Sequence, residues 1–447
     1  MESVRLPEIQ SQTLGNGMRV LAVRDRRLPL VTLVLMVKKG AEADEEGRAG
    51  QADLALEMLT LGTEKRTSQQ IALDVDSLGA HLAFYSGWDA SFVEIEGLSE
   101  DLPSLVEIIS DLVLHPTFPE PEFEQLKKRR IASLIQDQDE SEIVADDQFT
   151  ELVFEGTPYG HPRRGTVDSL RRLALDDLER FHRRHFVADQ CVLMILGDID
   201  FEESFMRTEE FMGPMESGQA SSERKAFQVP HRAQRRIRII HRPDLTQSQI
   251  RMGHPGIERT SPDFHRFQVA NYILGGGGFS SRLMERVRSQ KGYTYGISSS
   301  FKARRSPGPF VISTFTPNEN TGAVMLEILE VVEAFVREGA RQEELEGAKN
   351  YYLGSYPFRF ETPAKIAREI LEVELYGLGL QSLSNYPLRI SEVTLADISL
   401  TVKQRLFPQG FSVVIVGNGD LFKRQVEAMG DVEIIDFQRL VAHRSEG

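Results

Sequence analysis

A chain of 447 residues, 40% hydrophobic and 27% charged, is long enough to bury two sizeable cores, so two domains are expected. With 52 basic against 67 acidic side chains the net charge is −15, which argues against nucleic acid and anionic membrane surfaces as partners through simple repulsion. A single cysteine, Cys191, excludes a disulfide framework.

The first residues, Met1-Glu2-Ser3-Val4-Arg5-Leu6-Pro7, lack the apolar core of a signal peptide, and no stretch reads as long enough to span a bilayer. The expected compartment is the cytoplasm, or the periplasm if a leader peptide precedes this sequence. Gly15-Asn16-Gly17 predicts a tight turn into the strand Met18-Arg19-Val20-Leu21-Ala22-Val23. The run from Ala49 to Thr63 reads as a helix that carries Asp53, Leu56 and Glu57. Two acids four apart on one face could hold calcium or magnesium, yet at this spacing they repel by only about a few tenths of a kcal/mol and are ordinarily solvated. Phe92-Val93-Glu94-Ile95 is a strand, and residues 122–136 form a long amphipathic helix containing Leu134.

His182 and His185, three apart on the next helix, are a rival metal pair. Neighbouring Arg180, Arg183 and Arg184 make that face electropositive and hostile to a dication. Cys191 enters the apolar run Val192-Leu193-Met194-Ile195-Leu196 and reads as a buried strand residue, not a reactive thiol. Residues 212–232, rich in Gly and Ser, read as a linker between domains at 1–211 and 233–447.

The second domain repeats the first. Leu196 and Val416, in matching strand-turn segments, lie 220 apart; Leu175 and Leu395, each heading a helix, also lie 220 apart. Phe92 and Phe310 head matching strands 218 apart. Strands followed by long helices, as at 343–356, predict an α+β fold in which each domain packs helices on a mostly antiparallel sheet. Gly275-Gly276-Gly277-Gly278 precedes a segment with Arg288 and Tyr295, seven apart. No Gly-Lys-Ser/Thr follows, so a phosphate loop is rejected; the glycines read as a helix entry needing positive φ, and the substrate-handling alternative comes only with the family resemblance given below.

The run Gly50-Gln51-Ala52-Asp53-Leu54-Ala55-Leu56-Glu57-Met58-Leu59-Thr60-Leu61-Gly62-Thr63 resembles the zinc helix of the pitrilysin/insulinase and processing-peptidase family, with its Gly-x-Ala-H-x-x-E-H-Met-Leu-x-x-Gly-Thr stretch. The two ligand positions are Asp53 and Glu57, the water-activating glutamate is Leu56, and the distal glutamate ligand is Leu134. Leucine cannot take a proton from water, so this chain is expected not to hydrolyse peptides alone and to hold no zinc. The resemblance implies a clamshell of two homologous domains, half of a four-domain chamber. It also implies that Arg288 and Tyr295 reach toward the zinc site of an opposing domain, and that Gly276 and Gly277 belong to a substrate-handling segment. The leading expectation is therefore a non-catalytic subunit of a heterodimeric zinc metallopeptidase, with zinc in the homologous partner and an extended peptide as substrate. The alternative is a structural or peptide-binding homodimer with no role in hydrolysis.

Overall fold

The computed structural model describes residues 7–218 and 226–442; residues 219–225 of the expected linker lie outside the described residues. The chain forms two compact units, each holding one six-stranded sheet.

The first sheet comprises β1 (Glu8–Thr13), β2 (Arg19–Arg24), β3 (Leu30–Val37), β4 (His81–Ser86), β5 (Ser91–Leu98) and β6 (Cys191–Gly197), in the order β1-β2-β6-β3-β5-β4. Every pair is antiparallel except β2–β6. The second comprises β7 (Arg236–His241), β8 (Gln247–Pro255), β9 (Ile297–Phe301), β10 (Pro309–Pro317), β11 (Ser412–Gly417) and β12 (Asp431–Asp436), in the order β12-β7-β11-β8-β10-β9. The repeat is therefore carried into three dimensions from β2/β7 through β6/β11. It breaks at one edge, where antiparallel β1 is answered by β12, parallel to β7.

The central strands β6 and β11 are buried at every position, which is why CVLMILG and SVVIVG read as unbroken apolar runs instead of alternating ones. Edge strand β1 (EIQSQT) is polar and almost wholly exposed, a composition that discourages pairing with another chain. Helix Leu102–Leu114 places Leu105, Ile109 and Leu112 on one buried stripe against β5 and β3; Thr321–Glu338 does the same with Val324, Ile328 and Val332 beside β10.

The compact units are not the contiguous halves of the sequence. Unit 1 takes Pro357–Ser384 from the second half, and unit 2 takes Leu134–Pro162 from the first. Helix Pro363–Leu375 accordingly packs on β6 and β3, while Ser141–Phe154 packs on β11 and β8. In unit 2 that attachment is polar as well as apolar. Arg251, 2% exposed, meets Glu142 at 3.2 Å and Asp146, and Arg238 meets Gln148 and Glu151 at 3.0 Å each. Guanidinium groups buried in a sheet need such carboxylate partners, and a helix register that supplies them is specified by the pairing. Among the described residues no helix is long and apolar enough to cross a membrane.

Candidate functional site

Helix Gln51–Met58 begins at Gly50, whose φ of 92° and close approach to the Arg164 carbonyl leave no room for a side chain. Half-buried Asp44 accepts hydrogen bonds from the Gly50 and Ala52 amides at 2.7 and 2.8 Å, satisfying orphan donors of the first turn. Burial pushes the Asp44 carboxyl well above the usual range, against the two amide bonds. Gln51 donates to the Asp177 carbonyl at 2.7 Å and ties this helix to Leu175–His185.

On this scaffold Leu56 is buried at 1% exposure, a core side chain with no polar atom to offer water. Asp53 and Glu57 are not the solvated pair their spacing suggested. Both face Arg130 of helix Glu120–Asp137, whose Nη2 lies 3.0 Å from Asp53 and in a short contact with Glu57; Arg129 reaches Glu57 at 2.9 Å. The side chains of Asp53, Glu57 and Arg130 are 18%, 15% and 17% exposed, so the cluster is largely desolvated and its charges must be matched internally. Burial raises the Asp53 carboxyl above its ordinary value despite the nearby charges of Arg130 and Arg163. Leu134 lies on the same helix one turn beyond Arg130 and is half-buried.

These residues do not fit zinc, calcium or magnesium. The two carboxylates are engaged by guanidinium groups, and among the described residues no three His, Cys, Asp or Glu converge on a point. Arg130 links helix Gln51–Met58 to helix Glu120–Asp137 through charge. The histidine pair does not converge either. His182 is buried, donates Nε2–H to the Val113 carbonyl at 2.8 Å, and has its pKa lowered to about 4 by burial, whereas His185 packs edge-on against Phe181. Cys191 is buried and its thiol is pushed up by desolvation, as an inert core residue requires.

In unit 2 the helix Phe264–Asn271, which packs on Leu395–Arg405 as Gln51–Met58 packs on Leu175–His185, runs into a π-helical turn, Tyr272–Gly276. The glycines thus close a helix instead of opening one. A side chain at Gly275 would collide with the Ser299 amide at 2.5 Å, and one at Gly277 with the Tyr272 carbonyl at 2.8 Å. Only Gly278 has a positive φ, 57°, while Gly276 is exposed. Close backbone packing, more than turn geometry, demands the run.

A second π-helical segment, Met284–Gln290, follows and carries Arg288. Its neighbours are neutralised: Arg282 bonds Glu344 at 2.6 Å and Arg286 bonds Glu327 at 2.6 Å. Arg288 instead lies over the ring of Phe279, 4.5 Å from its centroid, with no carboxylate in ion-pair range among the described residues. Tyr295 is 82% exposed and Phe279 73%. The turn that presents Tyr295 is fixed from beneath. Thr294 Oγ1 donates to the Gly296 carbonyl at 3.0 Å and accepts from its amide at 3.1 Å, and Thr314 donates to the same carbonyl at 2.8 Å.

Arg130, Arg163 and Phe279 were missed by sequence reasoning. A signal for Arg130 was present: a basic residue one turn before Leu134, on a helix opposite two unexplained acids.

The description "Insulinase (Peptidase family M16)" matches residues 19–167, and "Peptidase M16 inactive domain" matches residues 172–352. The chain is 26% identical to an "Uncharacterized zinc protease" of Rickettsia bellii, over 91% of this chain and 97% of that protein. It is 23% identical to the "Non-peptidase homolog YmxG" of Helicobacter pylori, over 89% of this chain and 91% of that one. A solved structure of a peptidase M16 inactive domain from Pseudomonas fluorescens superposes with a TM-score of 0.85 at 25% identity, covering 92% of this chain and 98% of the other. The two matches together cover most of the chain, which therefore belongs to the insulinase family, peptidase family M16.

Proposed function

We propose that this protein binds extended peptides and serves as the non-catalytic subunit of a zinc metallopeptidase, lending Arg288 and Tyr295 to the zinc site of a homologous partner. The observation that carries the reading is the pair itself. Among the described residues Arg288 has only an aromatic face as its partner, and Tyr295 projects from a turn held by buried threonines. Both side chains keep their polar groups for something outside the unit. A preorganised phenol can donate to the oxyanion that develops during peptide hydrolysis, and losing one such donor costs about 10² to 10³ in rate. Arginine can grip a backbone carbonyl or carboxylate through its planar fork. In unit 1 the edge strand β4 pairs, among the described residues, only with β5 and leaves a row of backbone groups on which an extended segment can add as a further strand.

In this reading zinc belongs to the partner, and the present chain contributes no metal ligand. The test is to mix the purified chain with a homologous subunit that carries an intact H-x-x-E-H and follow cleavage of an unfolded peptide. Turnover in the mixture, falling about 10²-fold or more with Tyr295→Phe, supports the proposal. Unchanged turnover with that variant removes the shared-site mechanism and leaves the peptide-binding alternative.

A further inference from the structure

We infer that the peptide received along β4 is selected by charge, with an Asp or Glu side chain docking on Arg163 at the Ser86 end of the strand. This rests on the peptide-binding reading above and adds the substrate class. Arg163 donates from Nη1 to the Ser86 carbonyl at 2.6 Å and lies over the Tyr85 ring, 4.8 Å from its centroid. Both partners are neutral, and among the described residues no carboxylate comes within ion-pair distance of this guanidinium. Two contacts therefore hold its plane, while most of its five N–H donors stay uncommitted.

The surroundings set the sign of the ligand. Asp53 is close enough for Arg163 to lower its pKa, but it is already engaged by Arg130, and Glu57 is shared by Arg129 and Arg130. Arg164, next in sequence, donates to Ser133 at 2.9 Å. Arg163 therefore keeps a positive charge that no carboxylate among the described residues pairs with directly, in a chain of net charge −15. The opposite end of β4 has the reverse character. Glu94 and Glu96 on β5 stand across from Ala83 and His81, and Glu94 has its pKa raised by burial and by the neighbouring charge of Glu96, which outweigh the opposing charges of His81 and Arg368. An acidic residue is repelled there and attracted near Tyr85 and Ser86, so the strand reads an acid at one end and tolerates a base at the other.

Three fluorescent peptides, identical except for Glu, Gln or Lys at one position, test this by anisotropy against the full-length protein at low and high salt. The Glu peptide is expected to bind about tenfold more tightly than the Lys peptide, with the gap shrinking as salt screens it. Arg163→Met is expected to bring the Glu and Gln peptides to equal affinity, while Arg163→Lys keeps part of the preference; thermal melts of both variants report folding. Equal binding of all three peptides to the unaltered protein, or a preference that survives Arg163→Met in a folded variant, overturns the charge selection and leaves peptide binding standing. Failure of every peptide to bind overturns the peptide reading and this inference with it.

Discussion

Arg130→Met removes the guanidinium that holds Asp53 and Glu57 while keeping most of the apolar stem. Taking one partner from a buried ion pair costs about 3–5 kcal/mol when the remaining charge stays dry. Here each carboxylate retains about a sixth of its surface, and Arg129 still reaches Glu57 at 2.9 Å, so the larger part of the loss falls on Asp53. A destabilisation of about 2–3 kcal/mol is expected in urea denaturation, with a fall in Tm of about 5–10 °C for a unit of this size. The pH dependence carries its own sign. The Asp53 carboxyl is already raised in the folded protein by burial, and losing Arg130 raises it further. A raised carboxyl favours the folded state below its unfolded pKa and loses that advantage as pH rises through the folded value. The deficit of the variant is therefore larger at neutral pH than under mildly acidic conditions, and adding Asp53→Asn recovers part of it. A loss below about 0.5 kcal/mol at neutral pH refutes the claim that the guanidinium is the cross-link at this position.

Arg251→Met gives an instructive contrast: its guanidinium is 2% exposed, but Asp146 and Glu142 are 61% and 71% exposed and rehydrate once freed. The expected cost is about 1–2 kcal/mol, smaller than for Arg130 despite deeper burial, and equilibrium denaturation of both variants checks the order. Glu344 bonds both Arg282 and Arg341, and these bonds outweigh its partial burial and lower its pKa to about 2. Its stabilising contribution is present above the unfolded value of 4.5 and is lost as pH falls toward 2, so Glu344→Gln flattens the acid limb of a stability profile taken across that range.

Much of the architecture was legible because burial leaves a one-dimensional trace. Unbroken apolar runs such as Val192 to Leu196 and Val413 to Val416 could only be central strands, and their constant offset exposed the duplication. The expectation that zinc chemistry is lost rested on identity and resemblance together, since the leucines at 56 and 134 have no atom able to bind a metal or move a proton. What Asp53 and Glu57 do instead depended on a residue more than seventy positions away, brought within 3.0 Å by two helices whose packing no local pattern encodes. The same holds for Arg288 on Phe279, for Arg163 beside the end of β4, and for the helices traded between halves of the chain. Periodicity reveals which face of a helix is apolar, but the surface that face covers is chosen by the tertiary fold, through shape and charge complementarity between segments distant in sequence.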